Sequence, residues 1–297
     1  MIQLVISKEN LDKFYKYIES YVNQSDTKYS MDDLNCDLLM LFDKTFEEVV
    51  KSTPSNMREL ISKKVIGFPN SVLILKDLYI TFRNKWAVEL LEALDLKVCP
   101  FCNREYIFRF EDTVKKEARV IASLDHYYDK NNYPYLAVSI YNLIPSCTIC
   151  NSKFKHSKNF YHEKHLHPYE DDFNKKVKFS YVLKPIDKKV PIFSKERINI
   201  NLKKLETNIK IDNTIKTFRL QELYNEHKDI VLELIQKSQI YNETYIDELF
   251  ERYSGTLFST REELMRLITC GYISDEDINK RPLSKLIKDI SEDLGLL

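Results

Sequence analysis

The sequence has no excess of either charge: 45 Lys and Arg balance 45 Asp and Glu. Such a chain has no bulk attraction to a polyanion, so any nucleic-acid contact has to come from a local patch or from a partner. It also has no apolar run approaching the roughly 20 residues needed to cross a bilayer. The first residues, MIQLVISKENLDKF, lack the charged-then-apolar pattern and small-residue cleavage site of a secretory leader. The expectation is a cytoplasmic protein without a membrane. Glycine is scarce, four in 297 residues, against abundant Lys, Asn, Ile and Tyr. We attribute that bias to an AT-rich coding sequence and draw no function from it. There is no low-complexity segment, and the likeness of YNEHKDI at 224 to YNETYIDEL at 241 is too brief to be a repeat.

What is present is a real core. Hydrophobic residues make up 43% of the chain, enough for one large domain or two ordinary ones. Residues 1–97 form a helical region: NLDKFYKYIESYV, MDDLNCDLLMLFDKTFEEVV, NMRELISKKV and AVELLEALDL space their apolar residues by three and four. Ser30, Asp32 and Ser55 are candidate N-caps, and Pro54 suits a first helical turn. These helices carry no catalytic constellation and read as scaffold or partner surface. Residues 98–203 form an α+β centre in which EYIFRF, EARVIASLD, VKFSYVL and RININ read as strands and NSKFKHSK as a short helix. Residues 204–297 are helical again, with His227 on a helix as a surface or packing residue.

Four of the six cysteines form two CxxC pairs, Cys99/Cys102 and Cys147/Cys150. In a reducing compartment paired CxxC turns point to metal before disulfide. Each turn directs two sulfurs to one side, so the pairs together supply the four thiolates of a tetrahedral structural zinc. A thioredoxin-like redox site would need a βαβ context that is absent. Four thiolates leave no open coordination position, so the chemistry must lie elsewhere. Cys36 and Cys270 read as unligated core residues.

Between the knuckles, Asp125-His126 closes the strand-like run RVIASLDH. A histidine titrating near neutrality can take a proton from water, and a neighbouring carboxylate can bind a hard divalent cation. Those are two of the parts needed to hydrolyse a phosphodiester. Lys153, Lys155 and Lys158 follow the second knuckle, where a short helix would offer at least some of them to phosphates, the alternative being a solvated lysine face. Tyr127, Tyr128, Tyr133 and Tyr135 read as packing before base stacking. His162 and His165 read as a surface turn, since no obvious fourth ligand completes a metal set.

The order CPFC, LDH, YNLIPSC, CNSKFK resembles the HNH endonuclease family in its zinc-stapled form. The resemblance implies a ββα-metal core over about Val98 to Lys158. It makes His126 the general base, Asp125 a ligand of a catalytic Mg²⁺ or Mn²⁺, and Asn142 the asparagine that pins the loop and orients the base. Asn151 would be the second metal ligand, at a position that is often His in the family. HPY places His167 at a spacing the family also uses, for a phosphate contact or a brace. Through FRLQELYNEHKDIV the chain is also similar to the PtuB nuclease subunits of bacterial Septu anti-phage systems, found too with some retrons. That likeness implies a PtuA-like ATPase partner with an SMC- or ABC-like head, docked on the helical regions. The substrate is then nucleic acid, DNA before an RNA such as tRNA. A zinc-bearing nucleic-acid-binding or adaptor module without catalysis is the competing expectation, and it would have no need of an Asp-His pair.

Overall fold

The computed structural model describes residues 2–24, 29–185 and 191–297. Its contacts group into two compact units, and the chain passes between them more than once. One holds Gln3–Lys97 and Ile107–Asp171; the other holds Val98–Tyr106 and Asp172–Leu297. The stretch 98–203 is therefore shared between the units. The protein is mixed α+β, and its strands pair only two by two.

The first unit begins with five helices: α1 (Lys8–Gln24), α2 (Met31–Phe42), α3 (Phe46–Val50), α4 (Pro54–Ser62) and α5 (Asn70–Leu94). Their ends are written in cap chemistry. Ser30 and Asp33 form a reciprocal capping box at the start of α2, as expected for Ser30. The run MDDLNCDLLMLFDKTFEEVV, which by periodicity is one helix, is two. Asp43 takes a left-handed conformation at φ 57°, and Thr45 with Glu48 opens a second capping box. Thr53, not Ser55, caps α4, and Pro54 takes the first helical position, where its missing N–H costs nothing. Helix α5 is far longer than AVELLEALDL and buries Val72, Leu75, Tyr79, Trp86 and Leu90.

Two short antiparallel strand pairings follow. β1 (Arg109–Asp112) pairs with β2 (Glu117–Val120), and β3 (Ser123–His126) pairs with β4 (Leu143–Ser146). The single run EARVIASLDH thus supplies two strands, one to each hairpin, separated at Ile121 and Ala122. After β4 the chain makes a wide π-helical turn, Ile149–Lys155, and then α6 (Phe160–Glu163). Helix α5 braces β3 directly, since the Tyr79 hydroxyl donates to the Leu124 carbonyl.

The second unit contains α7 (Phe173–Lys176), a hairpin of β5 (Val177–Leu183) and β6 (Ile198–Lys204), and the helices α8 (Ile209–Thr217), α9 (Leu220–Tyr224), α10 (Lys228–Ile240), α11 (Glu243–Tyr253), α12 (Arg261–Thr269) and α13 (Ser284–Asp293). Phe179 and Tyr224 pack ring to ring at 4.2 Å in its core. α13 ties to β5 through Asp289, which accepts from the Phe179 N–H and holds the buried Lys285 ammonium at 2.6 Å.

Two cysteine expectations need correction. Cys36 and Cys270 are exposed, not core. α2 buries the stripe Leu34, Leu38 and Phe42, and Cys36, two positions from Leu34, falls off that face. Cys270 is the left-handed residue that ends α12. Among the described residues no helix is long and apolar enough to cross a membrane.

Candidate functional site

The four knuckle cysteines are buried, and their sulfurs all lie within 4.8 Å of one another. Each knuckle is shaped by backbone N–H groups turned onto sulfur: Arg104 N–H to Cys102 Sγ and Cys150 N–H to Cys147 Sγ, both at 3.4 Å. Asn103 sits left-handed at φ 51° so that the first turn can reverse, and its N–H donates to the Cys99 carbonyl. The same Asn103 is locked from outside the turn. Its side chain donates to the Ile278 carbonyl and accepts from Lys285 N–H, while its carbonyl accepts from Leu283 N–H. Tyr224 donates to the Cys102 carbonyl at 2.7 Å. A tetrahedral zinc with Zn–S bonds of about 2.3 Å needs four thiolates gathered this closely, and such a cluster buried without a cation would repel itself. The donor set therefore fits a structural zinc, and it is the one cluster of metal-ligating side chains found among the described residues.

Asp125 and His126 lie at the end of β3, opposite Ile144 and Leu143 of β4. The pairing continues one step further, Tyr127 N–H donating to the Asn142 carbonyl. Asn142 is fully buried and its side-chain amide is wholly committed to backbone. Oδ1 accepts from Tyr128 N–H at 2.7 Å, and Nδ2 donates to the carbonyls of Tyr128 and Leu136 at 3.0 and 2.9 Å. It clamps both ends of the loop that joins the two strands.

That loop positions His126. Its Nε2 lies 2.8 Å from the Ala137 carbonyl, which can only accept, so Nε2 carries the proton and Nδ1 keeps the lone pair. The Tyr79 ring stands edge-on to the imidazole at 4.2 Å. Burial drives the His126 pKa down to about 3, with the Lys130 and Lys155 charges pushing the same way, so the ring is a neutral base at ordinary pH.

Asp125 is 5% exposed. Burial pushes its pKa up to about 6, held from going higher chiefly by Lys155. Its Oδ1 accepts from Lys155 Nζ at 3.1 Å, while Oδ2 is buried with no hydrogen-bond partner among the described residues. A buried carboxylate oxygen left open in this way fits a hard divalent cation. Asn151 lies half-buried on the π-helical turn, four residues before Lys155 and hence on nearly the same face as that lysine.

The basic run divides. Lys153 is exposed and Lys158 half-buried, but Lys155 turns inward, so of the three, at least some of which are expected to face phosphates, Lys155 does not face solvent. His167 is buried, its ring centroid 4.0 Å from that of Tyr127, and its Nδ1 accepts from Tyr169 N–H. This packing fits the brace expected of His167. His165 is buried and stacked on Phe160 at 3.7 Å, which overturns its reading as a surface turn; His162 is exposed as expected. Tyr127, Tyr128 and Tyr135 are core residues. His227 is half-buried and accepts from Arg104 Nε at 3.0 Å.

Sequence reasoning missed Tyr79, the Ala137 carbonyl and the inward turn of Lys155. A tyrosine in an apolar helix and a lysine in a basic run give no signal of their own. No known family pattern, curated protein or solved structure matches the chain.

Proposed function

We propose that the chain is a metal-dependent nuclease of the HNH type, hydrolysing phosphodiester bonds of nucleic acid, DNA before RNA. The observation that carries this reading is one hairpin that ends in a buried Asp-His pair, with the loop between its strands clamped by Asn142 and a helical turn bearing Asn151 directly after it. Strand, strand and helix stand in the order of the ββα-metal core, beside four cysteines able to hold zinc. A binding module would not need a neutral imidazole held by a carbonyl beside a carboxylate with one open oxygen.

The chemistry follows from the side chains. The Ala137 carbonyl fixes the His126 ring with Nδ1 as its base. That nitrogen accepts a proton from water as the water oxygen forms a bond to phosphorus. The bond from phosphorus to the 3′ oxygen breaks, and the leaving oxygen takes a proton from solvent. The ends produced are 5′-phosphate and 3′-hydroxyl. A Mg²⁺ or Mn²⁺ held by Asp125, with Asn151, would stabilise the negative charge that builds on the phosphate. The likeness to PtuB subunits supports a place as the effector of an anti-phage complex with an ATPase partner, for which the helical regions are the candidate docking surfaces.

The test is direct. Purified protein, alone and with the ATPase encoded beside it, is incubated with plasmid, single-stranded DNA and total tRNA, with Mg²⁺ or chelator. Cutting that needs the cation and falls about 10² to 10⁴-fold in His126→Ala supports the reading. Cutting at the native rate by that variant removes His126 from the mechanism, and no cutting under any condition favours the binding module.

A further inference from the structure

Lys155 is only 3% exposed. A lysine is almost never buried unless it is paired. Its Nζ donates to Asp125 Oδ1 at 3.1 Å and to the His126 carbonyl at 2.6 Å, and it lies 5.1 Å from the centre of the Phe160 ring. Among the described residues the one charge partner of this ammonium is thus the carboxylate that would hold the catalytic cation. The pairing also decides which carboxylate oxygen stays open, since Oδ1 is taken and Oδ2 is not.

The charge around that open oxygen follows. Asp125 contributes one negative charge. Asn151 is neutral, and Asn142 gives its whole amide to backbone. The Lys155 ammonium cancels the Asp125 charge at contact distance. Mg²⁺ sheds hydration water reluctantly and is ordinarily held by one or two carboxylates together with substrate phosphates. A donor group of zero net charge leaves most of that requirement to the phosphate.

We propose that Lys155 is a positioning residue that holds Asp125 by Oδ1, presents Oδ2, and neutralises the carboxylate, so that the divalent cation enters together with a nucleic-acid phosphate instead of ahead of it. This rests on the nuclease reading. It makes cation loading depend on substrate, a property that neither the Asp-His pair nor the cysteine cluster provides.

The experiment measures Mn²⁺ binding by electron paramagnetic resonance on the full chain, zinc-loaded, at pH 8. The background is His126→Ala, so that nucleic acid is bound but not cut. Alone, the protein should bind Mn²⁺ weakly. Lys155→Met, matched in length but uncharged, should bind it at least about tenfold tighter, because a positive charge beside the ligand has gone. Lys155→Gln serves if the methionine variant does not fold, Lys155→Arg should stay near the parent, and Lys13→Met, exposed on α1, should change nothing. Duplex DNA or tRNA should raise the parent's Mn²⁺ affinity, and raise it less in Lys155→Met. A folded neutral variant with unchanged or weaker Mn²⁺ affinity, while Asp125→Asn still abolishes binding, overturns the role of Lys155 and leaves the nuclease reading standing. If Asp125→Asn leaves Mn²⁺ binding untouched, Asp125 is not a ligand and the nuclease reading fails with the inference.

Discussion

At the residue scale the site depends on polar groups that have no room for substitution. Asn142 supplies an acceptor and two donors to three backbone groups in a place without solvent. In Asn142→Ala the Tyr128 N–H and the Tyr128 carbonyl lose the Asn142 amide, and the Leu136 carbonyl keeps only the Ser139 N–H. We predict a loss of about 2–4 kcal/mol in urea unfolding. A loss below about 1 kcal/mol would mean that water replaces the amide and that the loop is not clamped. His126 and Asp125 give a second prediction through their opposite shifts. His126 is lowered from 6.5 to about 3, so its share of stability is complete above 6.5 and is lost as pH falls toward 3. Asp125 is raised from 3.8 to about 6, so its share is complete below 3.8 and is lost as pH rises through 6. Between pH 6 and 4 the two slopes oppose and nearly cancel in the parent, each state difference being about one proton, and the histidine loss stands alone only below about 4. His126→Gln removes the histidine share, worth on the order of a few kcal/mol. The variant should therefore gain stability relative to the parent when unfolding is repeated at pH 7 and at pH 5, and parallel profiles would show that the ring is not held neutral by burial.

At the scale of elements, the parts that were legible in the sequence are those whose chemistry depends on spacing alone. Two CxxC turns declare themselves, and so does an Asp-His pair closing an alternating strand. β5 coincides with VKFSYVL because alternation and burial agree there. Helix α5 was legible only at its end, because it is apolar on several sides and its periodicity fades where it is most buried. The run EARVIASLDH gave no warning that it serves two hairpins, since each half alternates equally well. Lys155 was illegible because the turn after the second knuckle is wider than an α-helix, which changes the residues that face inward. Tyr224, in a stretch whose sequence carries no site signal, holds the first knuckle through the Cys102 carbonyl. The knuckles give a third prediction. Cys147→Ser should abolish bound zinc, read by atomic absorption. It should also lower the melting temperature well beyond the effect of Cys36→Ser, whose thiol is exposed and not part of the four-cysteine cluster. Equal shifts for the two variants would remove the metal from the account of stability.

For the whole molecule the governing number is a net charge of zero, made of 45 positive and 45 negative side chains. A nuclease with a strongly basic surface is drawn to any duplex, and its affinity falls steeply with salt. This chain has no net charge to supply such a field; among the described residues the Lys130 charge reaches both Asp125 and His126, and Lys153 and Lys158 lie beyond the second knuckle. Each phosphate contact contributes about −0.9 to the slope of log affinity against log salt on duplex DNA. With these three lysines as the phosphate contacts the slope is about −3, and the affinity lies in the nonspecific range of roughly 10⁻⁴ to 10⁻⁶ M at physiological salt. The fourth prediction is measured by fluorescence anisotropy on the uncut His126→Ala protein. Alone it should show that weak binding and shallow slope, and Lys130→Ala should reduce the slope by about one contact. With an ATPase partner supplying a basic surface, the slope should steepen and the affinity rise. A steep slope for the isolated chain would instead locate the nucleic-acid surface within this molecule and remove the charge argument for a partner.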